Sequence, residues 1–456
     1  MNAVSFASYG ASYGASYIAS YIASYSAFYS VLRRRVFKLA GLSCLLFSGV
    51  AVAVSPPQPI DEVTISLKDA VTKTLATNPQ LRSFGYEVKA QQARVQQAGL
   101  APSPELTVAL EDALGTGEHT GLDNAQATFS IGWVLERGVR QYVVDSARAG
   151  SSLLSVDADI QQLDAAAETA RRYLVSLAFQ ARRVNADKTV ELAEETIAAV
   201  QKRVKAGKTP EAELSRAQAE LARRKLERED IEHELVSANR RLAAQWGALS
   251  LSFSRVEGAI TQLPEVASFE TLRTRLENNP EFARLLSDQR LKKAELALAK
   301  AKNKPNWRVD AGVRLIGSSD DVAFVTGITI PFGERTRNPG RIAEASANYQ
   351  KIDSVETEVR VRMETALFVL HEELQHSLHV IGIVRNDIIP PLEKALIETR
   401  RAYTLGRYSY LEWRSVQAEL LDAHDALIEA SFAAYSNIIE IERLTGVQIA
   451  LPKTNP

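Results

Sequence analysis

Four short stretches of the chain alternate apolar and polar residues with a period of two. Leu106, Val108 and Leu110 interleave with Thr107, Ala109 and Glu111, and Ala127, Phe129, Ile131, Trp133 and Leu135 interleave with Thr128, Ser130, Gly132 and Val134. Further on, Trp307, Val309, Ala311, Val313 and Leu315 alternate with Arg308, Asp310, Gly312, Arg314 and Ile316. Finally, Val322, Phe324, Thr326, Ile328 and Ile330 alternate with Ala323, Val325, Gly327 and Thr329. Successive side chains of a strand point to opposite faces, so each stretch predicts a strand with one apolar face, and each pair predicts a hairpin. At about 10 residues the strands are long enough to span a bilayer, apolar toward lipid and polar toward a lumen. Two half-buried hairpins of a soluble domain would carry the same pattern. Four strands cannot close a barrel around a channel, so the membrane reading requires several chains to share one barrel.

Most of the remaining pattern is helical. From about Val139 to Ala206 no proline interrupts the chain, which predicts a rod on the order of 100 Å. Val190, Ala193, Ile197, Val200 and Val204 fall at alternating spacings of three and four, the seam of a coiled coil, and charge fills many other positions. A helix this long has no single-domain core to lie in and needs neighbouring helices. Its counterpart later in the chain is interrupted by Pro390 and Pro391, which predicts a bend there.

That counterpart exists because the chain is written twice. Asn78-Pro79 matches Asn279-Pro280 and Pro104 matches Pro305, both at an offset of 201; "AGKTPEAELSRAQAEL" around Gly207 matches "LGRYSYLEWRSVQAEL" around Gly406 at 199. Gly247 and Gly446 keep the second offset. A duplicated unit follows, residues 61–264 and 265–456. In each, a short helix ends before an Asn-Pro pair that supplies an N-cap and a first-turn proline. A second helix, two strands, a very long helix, a turn at Gly207 or Gly406 and a returning helix come next.

Residues 1–53 stand apart. A period-four tract of ASY repeats occupies residues 7–26, followed by Arg33, Arg34, Arg35 and Lys38, an apolar run from Leu39 to Val52 and the small-residue site Ala51-Val52-Ala53. That order reads as a secretory signal cleaved after Ala53, with translation expected to start near Val31. Cys44, the one cysteine, lies inside the apolar run; Gly41 stands where a lipoprotein signal needs an aliphatic residue, which argues against acylation. A mature chain without cysteine suits an oxidising compartment. Beyond Val54 no run of 18 apolar residues predicts a transmembrane helix, so any entry into a membrane must use strands.

Totals narrow the function classes. With 456 residues, 46% of them hydrophobic, the chain can bury a sizeable core, and a net charge of -1 argues against a general nucleic-acid binder. "HEELQH" suggests a metal site, but His371 and His376 are five apart and diverge on a helix, where a zincin pair needs four; His379 beside His376 reads as solvated surface. No phosphate-cradling glycine loop, nucleophile elbow or cysteine cluster occurs. Neither a metal site nor a cofactor nor an enzymatic activity is expected, and energy for any transport must come from a partner.

The stretches "NPQLRSFGYEVKAQQARVQQAGLAPSPELTVALED", "GWVLERGVRQ" and "IPFGERTRNPGRIAEASANY", with "AG" or "LG" followed by "QAEL", resemble the TolC-like outer-membrane efflux proteins over nearly all of the mature chain. "PSPELTVALED" and "RNPGRIAEA" are most similar to the CzcC-type subgroup associated with heavy-metal export. The resemblance implies a mainly α fold with a membrane β-barrel, a homotrimer with four strands per chain in one barrel, and a helical tunnel across the periplasm of a Gram-negative cell. It implies outer-membrane lipid, a periplasmic adaptor and an inner-membrane pump of RND type as partners. Gly207, Lys208 and Thr209, with Gly406, Arg407, Tyr408 and Ser409, would be the tips that meet the adaptor, and Glu412 would belong to an acidic ring at the closed end. A second acid expected nine positions past Gly406 is Ser415 here. Arg137 and Arg140, with Pro331, Arg335, Arg337 and Arg341, would mark the two joints between barrel and tunnel. The function implied is a passive exit duct for metal cations in a tripartite efflux system. Alternatives are the same duct for organic drugs or a secreted polypeptide, or a periplasmic coiled-coil scaffold without a pore.

Overall fold

A computed structural model describes residues 63–136, 138–332 and 338–446. Helix α1 (Leu67–Thr77) begins at Ser66, whose hydroxyl accepts from the Asp69 amide, and α2 (Pro79–Ala98) begins at Asn78, whose Oδ1 accepts from the amides of Gln80 and Leu81. Strands β2 (Glu105–Glu111) and β3 (Gln126–Leu135) follow, and then α3 (Val139–Lys205), 67 residues without a break. The chain reverses at Gly207 into α4 (Glu211–Ala243).

The same order recurs. Helix α5 (Phe269–Leu276) precedes Asn279, which caps α6 (Pro280–Ala301) by accepting from the Glu281 amide at 2.7 Å. Strands β5 (Trp307–Ile316) and β6 (Asp321–Thr329) lead into α7 (Pro339–Ile383), α8 (Ile389–Thr404) and α9 (Tyr410–Thr445). Each capping asparagine also closes its own half: Asn78 Nδ2 donates to the Gln245 carbonyl and Asn279 Nδ2 to that of Leu444, both at 2.7 Å. In each half the repeated asparagine thus joins the start of one helix to the end of another, one polar side chain serving two helix ends at once.

The break predicted at Pro390-Pro391 is a widened helical turn over Val384–Ile388, just upstream of the prolines, which lie in the first turn of α8. A proline lacks the amide that would bond the carbonyl four residues back, and its ring crowds that carbonyl, so the preceding turn must rearrange.

The core sits at mid-length of the helices. Strands β1 (Thr64–Ile65) and β4 (Arg255–Val256) pair in parallel, and α1 and α5 pack with them against the middle of α3, α7 and the end of α9. Polar side chains of α3 hold the small sheet in place. Gln180 both accepts from the Val256 amide (2.6 Å) and donates to its carbonyl (3.0 Å); buried Tyr173 donates to the carbonyls of Ile65 and Glu257. No described helix is long and apolar enough to cross a membrane.

Candidate functional site

Strands β2, β3, β5 and β6 form one antiparallel sheet in the order β2-β3-β5-β6, so the two predicted hairpins join through β3 and β5. Register places Phe129 opposite Val108 and Val313, and Val313 opposite Phe324, so the apolar residues of all four strands share one face. That face is bare: Leu106 is 71% and Phe324 75% exposed, and Phe129, Ile131, Trp133, Leu315, Val322 and Ile328 are exposed with them. An apolar surface this continuous is not left to water.

The opposite face is charged and internally paired. Glu105, Gly132, Asp310 and Gly327 lie in one row across the strands. Arg308, one step along β5, meets Asp310 at 3.0 Å and reaches across β3 to Glu105 at 2.6 Å. It can do so because Gly132 has no side chain: a Cβ there would collide with Asp310 Oδ1 and the Arg308 guanidinium. Near the other end Arg314 repeats the device, donating to Thr128, Gln126 and Glu111 at 2.9, 3.1 and 3.0 Å. Charged groups aligned on one face of a sheet whose other face is apolar suit a wall between lipid and water.

Where sheet meets helix, Arg140 pairs with Glu136 at 3.0 Å across the start of α3. In the second half buried Asn338 donates to the Ala299 carbonyl and to Asn303 Oδ1, tying the start of α7 to the end of α6. Pro331, just beyond the end of β6, and Arg341, in the first turn of α7, are exposed; Arg137, Arg335 and Arg337 lie outside the described residues.

At the far end of the helices, two turns of the same construction lie side by side. Gly207 (φ 65°) and Gly406 (φ 78°) hold the left-handed conformation that ends a helix. The next amide returns to the carbonyl five residues back, Lys208 to Arg203 and Arg407 to Ala402, each at 2.9 Å. The turns are tied together. The Arg203 guanidinium donates to the Tyr403 carbonyl and stacks on the Tyr403 ring at 4.7 Å, and the Tyr403 hydroxyl donates to Glu213 at 3.2 Å. Beneath them Val200, Ala217, Tyr403, Tyr410 and Trp413 form a separate buried cluster. Burial and the neighbouring Glu213 carboxylate push the Tyr403 hydroxyl up to about 12. Sequence reasoning missed Arg203, Tyr403 and Glu213. The signal available was the density of aromatics in "YTLGRYSYLEW", too rich for a solvated turn.

Glu412 is exposed beside this turn and engaged in it. Its carboxylate accepts from the Ser409 amide at 2.7 Å while the Ser409 hydroxyl caps the Glu412 amide, a reciprocal box that starts α9. The bond from the Ser409 amide first, and a second from the Ser409 hydroxyl, which also donates to the carboxylate at 2.9 Å, hold the carboxyl below the usual range. Ser415 bonds Glu419 one turn on. His371 packs edge-on against Phe269, and among the described residues no three His, Cys, Asp or Glu side chains gather as a metal-binding group.

Comparison with known proteins adds three findings. A family profile described as "Outer membrane efflux protein" matches residues 70–248. The chain is similar to the cobalt-zinc-cadmium resistance protein CzcC of Cupriavidus metallidurans, 24% identical over 424 residues that cover 91% of this chain and 100% of that one. Among solved structures it superposes on CusC, studied for conformational changes accompanying folding and transmembrane channel formation, with a TM-score of 0.71 at 17% identity over 85% of this chain and 93% of that one. The outer membrane protein VceC of Vibrio cholerae gives 0.67 at 17%, over 84% and 96%.

Proposed function

We propose that the chain, which matches the outer membrane efflux protein profile over residues 70–248 and has the TolC-like fold, is the outer-membrane channel of a tripartite efflux system. Three copies would place the edge strands β2 and β6 of neighbours side by side, closing twelve strands into one barrel and leaving no edge in lipid. The observation that carries this reading is the sheet itself, with one exposed apolar face, one charged and internally paired face, and two open edges. A coiled-coil scaffold without a pore has no use for that arrangement.

In this reading α3, α4, α7, α8 and α9 form the periplasmic tunnel. Arg137, Arg140, Pro331, Arg335, Arg337 and Arg341 mark its joint with the barrel. The turns at Gly207 to Thr209 and Gly406 to Ser409 meet a periplasmic adaptor, and through it an RND-type pump in the inner membrane supplies the energy. Tyr403, Glu213 and Arg203 hold the two turns together, with Glu412 beside them at the aperture. Similarity to CzcC across the whole of that protein supports metal cations as cargo.

The test is direct. Purified chain should run as an SDS-resistant trimer, fractionate with the outer membrane and conduct ions across a planar lipid bilayer. A soluble monomer without conductance sinks the proposal. For cargo, deletion of the gene should sensitise its host to divalent metals and leave its tolerance of organic drugs unchanged.

A further inference from the structure

The two turns carry an excess of basic charge. Residues 201–213 and 400–412 hold seven basic side chains and three acidic ones, in a chain whose net charge is -1. The imbalance is sharper than the count, because of where each charge is directed. Glu213 accepts from Tyr403 and Glu412 closes its capping box, so two of the three carboxylates are engaged internally. Of the bases, Arg203 is turned inward onto Tyr403 and Arg400 pairs with Glu195 at 2.9 Å. The other five, Lys202, Lys205, Lys208, Arg401 and Arg407, are exposed, and among the described residues none has an acidic side chain within 4.0 Å.

Helix electrostatics accounts for only some of these. Lys202, Lys205 and Arg401 lie in the last turns of α3 and α8, where cations complement the helix dipole. Lys208 and Arg407 do not. They follow the glycines and precede the N-termini of α4 and α9, where the dipole favours an anion. A base stands at this position in both halves, immediately after the left-handed glycine. Exposed apolar side chains lie beside them: Leu405, Tyr408 and Leu411. Unpaired charge around exposed apolar groups is the composition of a docking surface, with a polar rim that steers and an apolar centre that is buried on contact.

We propose that the paired turns form a basic docking surface whose occupant is a protein loop rich in carboxylates, placed to meet Lys208 and Arg407 and to cover Leu405 and Tyr408. This rests on the reading of the turns as the tunnel's adaptor-facing end and names the chemistry the adaptor must bring. An acidic loop supplies what Lys208 and Arg407 lack in the free chain, and it also offers anions to the N-termini of α4 and α9.

The experiment uses full-length trimer in nanodiscs and two designed helical hairpins that differ only in the loop, one carrying glutamates and the other lysines. The acidic hairpin should associate at least about tenfold faster than the basic one at low ionic strength, with the difference collapsing at about 0.5 M salt. The double variant Lys208→Glu with Arg407→Glu should reverse the preference, a result that loss of structure cannot produce. Equal binding of both hairpins, or of neither, overturns the proposal. So does recruitment of phosphatidylglycerol vesicles by the turns without preference for the acidic hairpin, which would make the surface a lipid site. Planar-bilayer conductance of the same preparation separates the two levels. A conducting trimer indifferent to the acidic loop refutes this inference alone, whereas absence of conductance refutes the channel reading beneath it.

Discussion

The guanidinium of Arg308 reaches the carboxylate of Glu105 at 2.6 Å over the backbone of Gly132, so that β5 is linked to β2 across the strand between them. The short edge strand β2 is thereby held by side chains as well as by its backbone ladder. Arg314 and Glu111 do the same toward its other end at 3.0 Å.

This relationship orders two substitutions. Gly132→Val places a branched side chain where the Arg308 guanidinium passes, and overpacking of that kind costs about 1–3 kcal/mol. Arg308→Met removes the pairs to Glu105, itself more than half exposed, and to Asp310, and solvent-exposed ion pairs contribute little. Thermal dissociation of the proposed trimer, followed on gels, should show the glycine variant falling further. The reverse order would mean that the gap at Gly132 is incidental.

Asn279 serves two helix ends, and its two roles can be separated. Asn279→Ala loses both the cap on α6 and the bond to the Leu444 carbonyl, for about 2–3 kcal/mol together. Asn279→Asp keeps the acceptor and loses the donor, so its melting temperature should fall between those of wild type and the alanine variant. Asn78, bonded to Gln245, should behave alike.

The capping box at Glu412 gives a pH dependence of defined sign. The carboxyl is held below its unfolded value, so its contribution is present above the ordinary carboxylate range near 4.3 and is lost as pH falls through the lowered folded value. Amide exchange of residues 410–413 should accelerate over that acidic interval. In Glu412→Gln the same amides should exchange faster already at neutral pH and show no acid-dependent step.

Arg203 and Tyr403 bind the two turns to each other, so in the proposed channel loosening them should widen the end of the tunnel. Arg203→Ala removes the stacked guanidinium, and Tyr403→Phe removes the bond to Glu213. Each should raise single-channel conductance without changing the yield of assembled channel, and the two effects should not simply add, because both interactions converge on Tyr403. The Tyr403 hydroxyl has a raised pKa, so its contribution is complete below about 10 and disappears as pH climbs through about 12. Conductance that rises with pH over that interval in wild type should be flat in Tyr403→Phe.

Much of this molecule is determined by local pattern. All four strands of the large sheet lie where alternation puts them, and α3 runs over Val139–Lys205, because periods of two and 3.6 and the punctuation by Asn-Pro and glycine act within a few residues. What pattern does not contain is which distant pieces meet. Strands β1 and β4 have two residues each, too few for any period, and distant side chains of α3 hold them, Tyr173 by bonding Ile65 and Glu257 and Gln180 by bonding Val256. The break before Pro390 moves upstream because a missing amide is felt by the carbonyls of the preceding turn. The bridge from Arg308 to Glu105 and the stack of Arg203 on Tyr403 join residues about 200 positions apart. Such contacts depend on the register of strands and the packing of long helices, so only the tertiary structure could decide that the doubled sequence closes into one sheet at one end and one cross-tied pair of turns at the other.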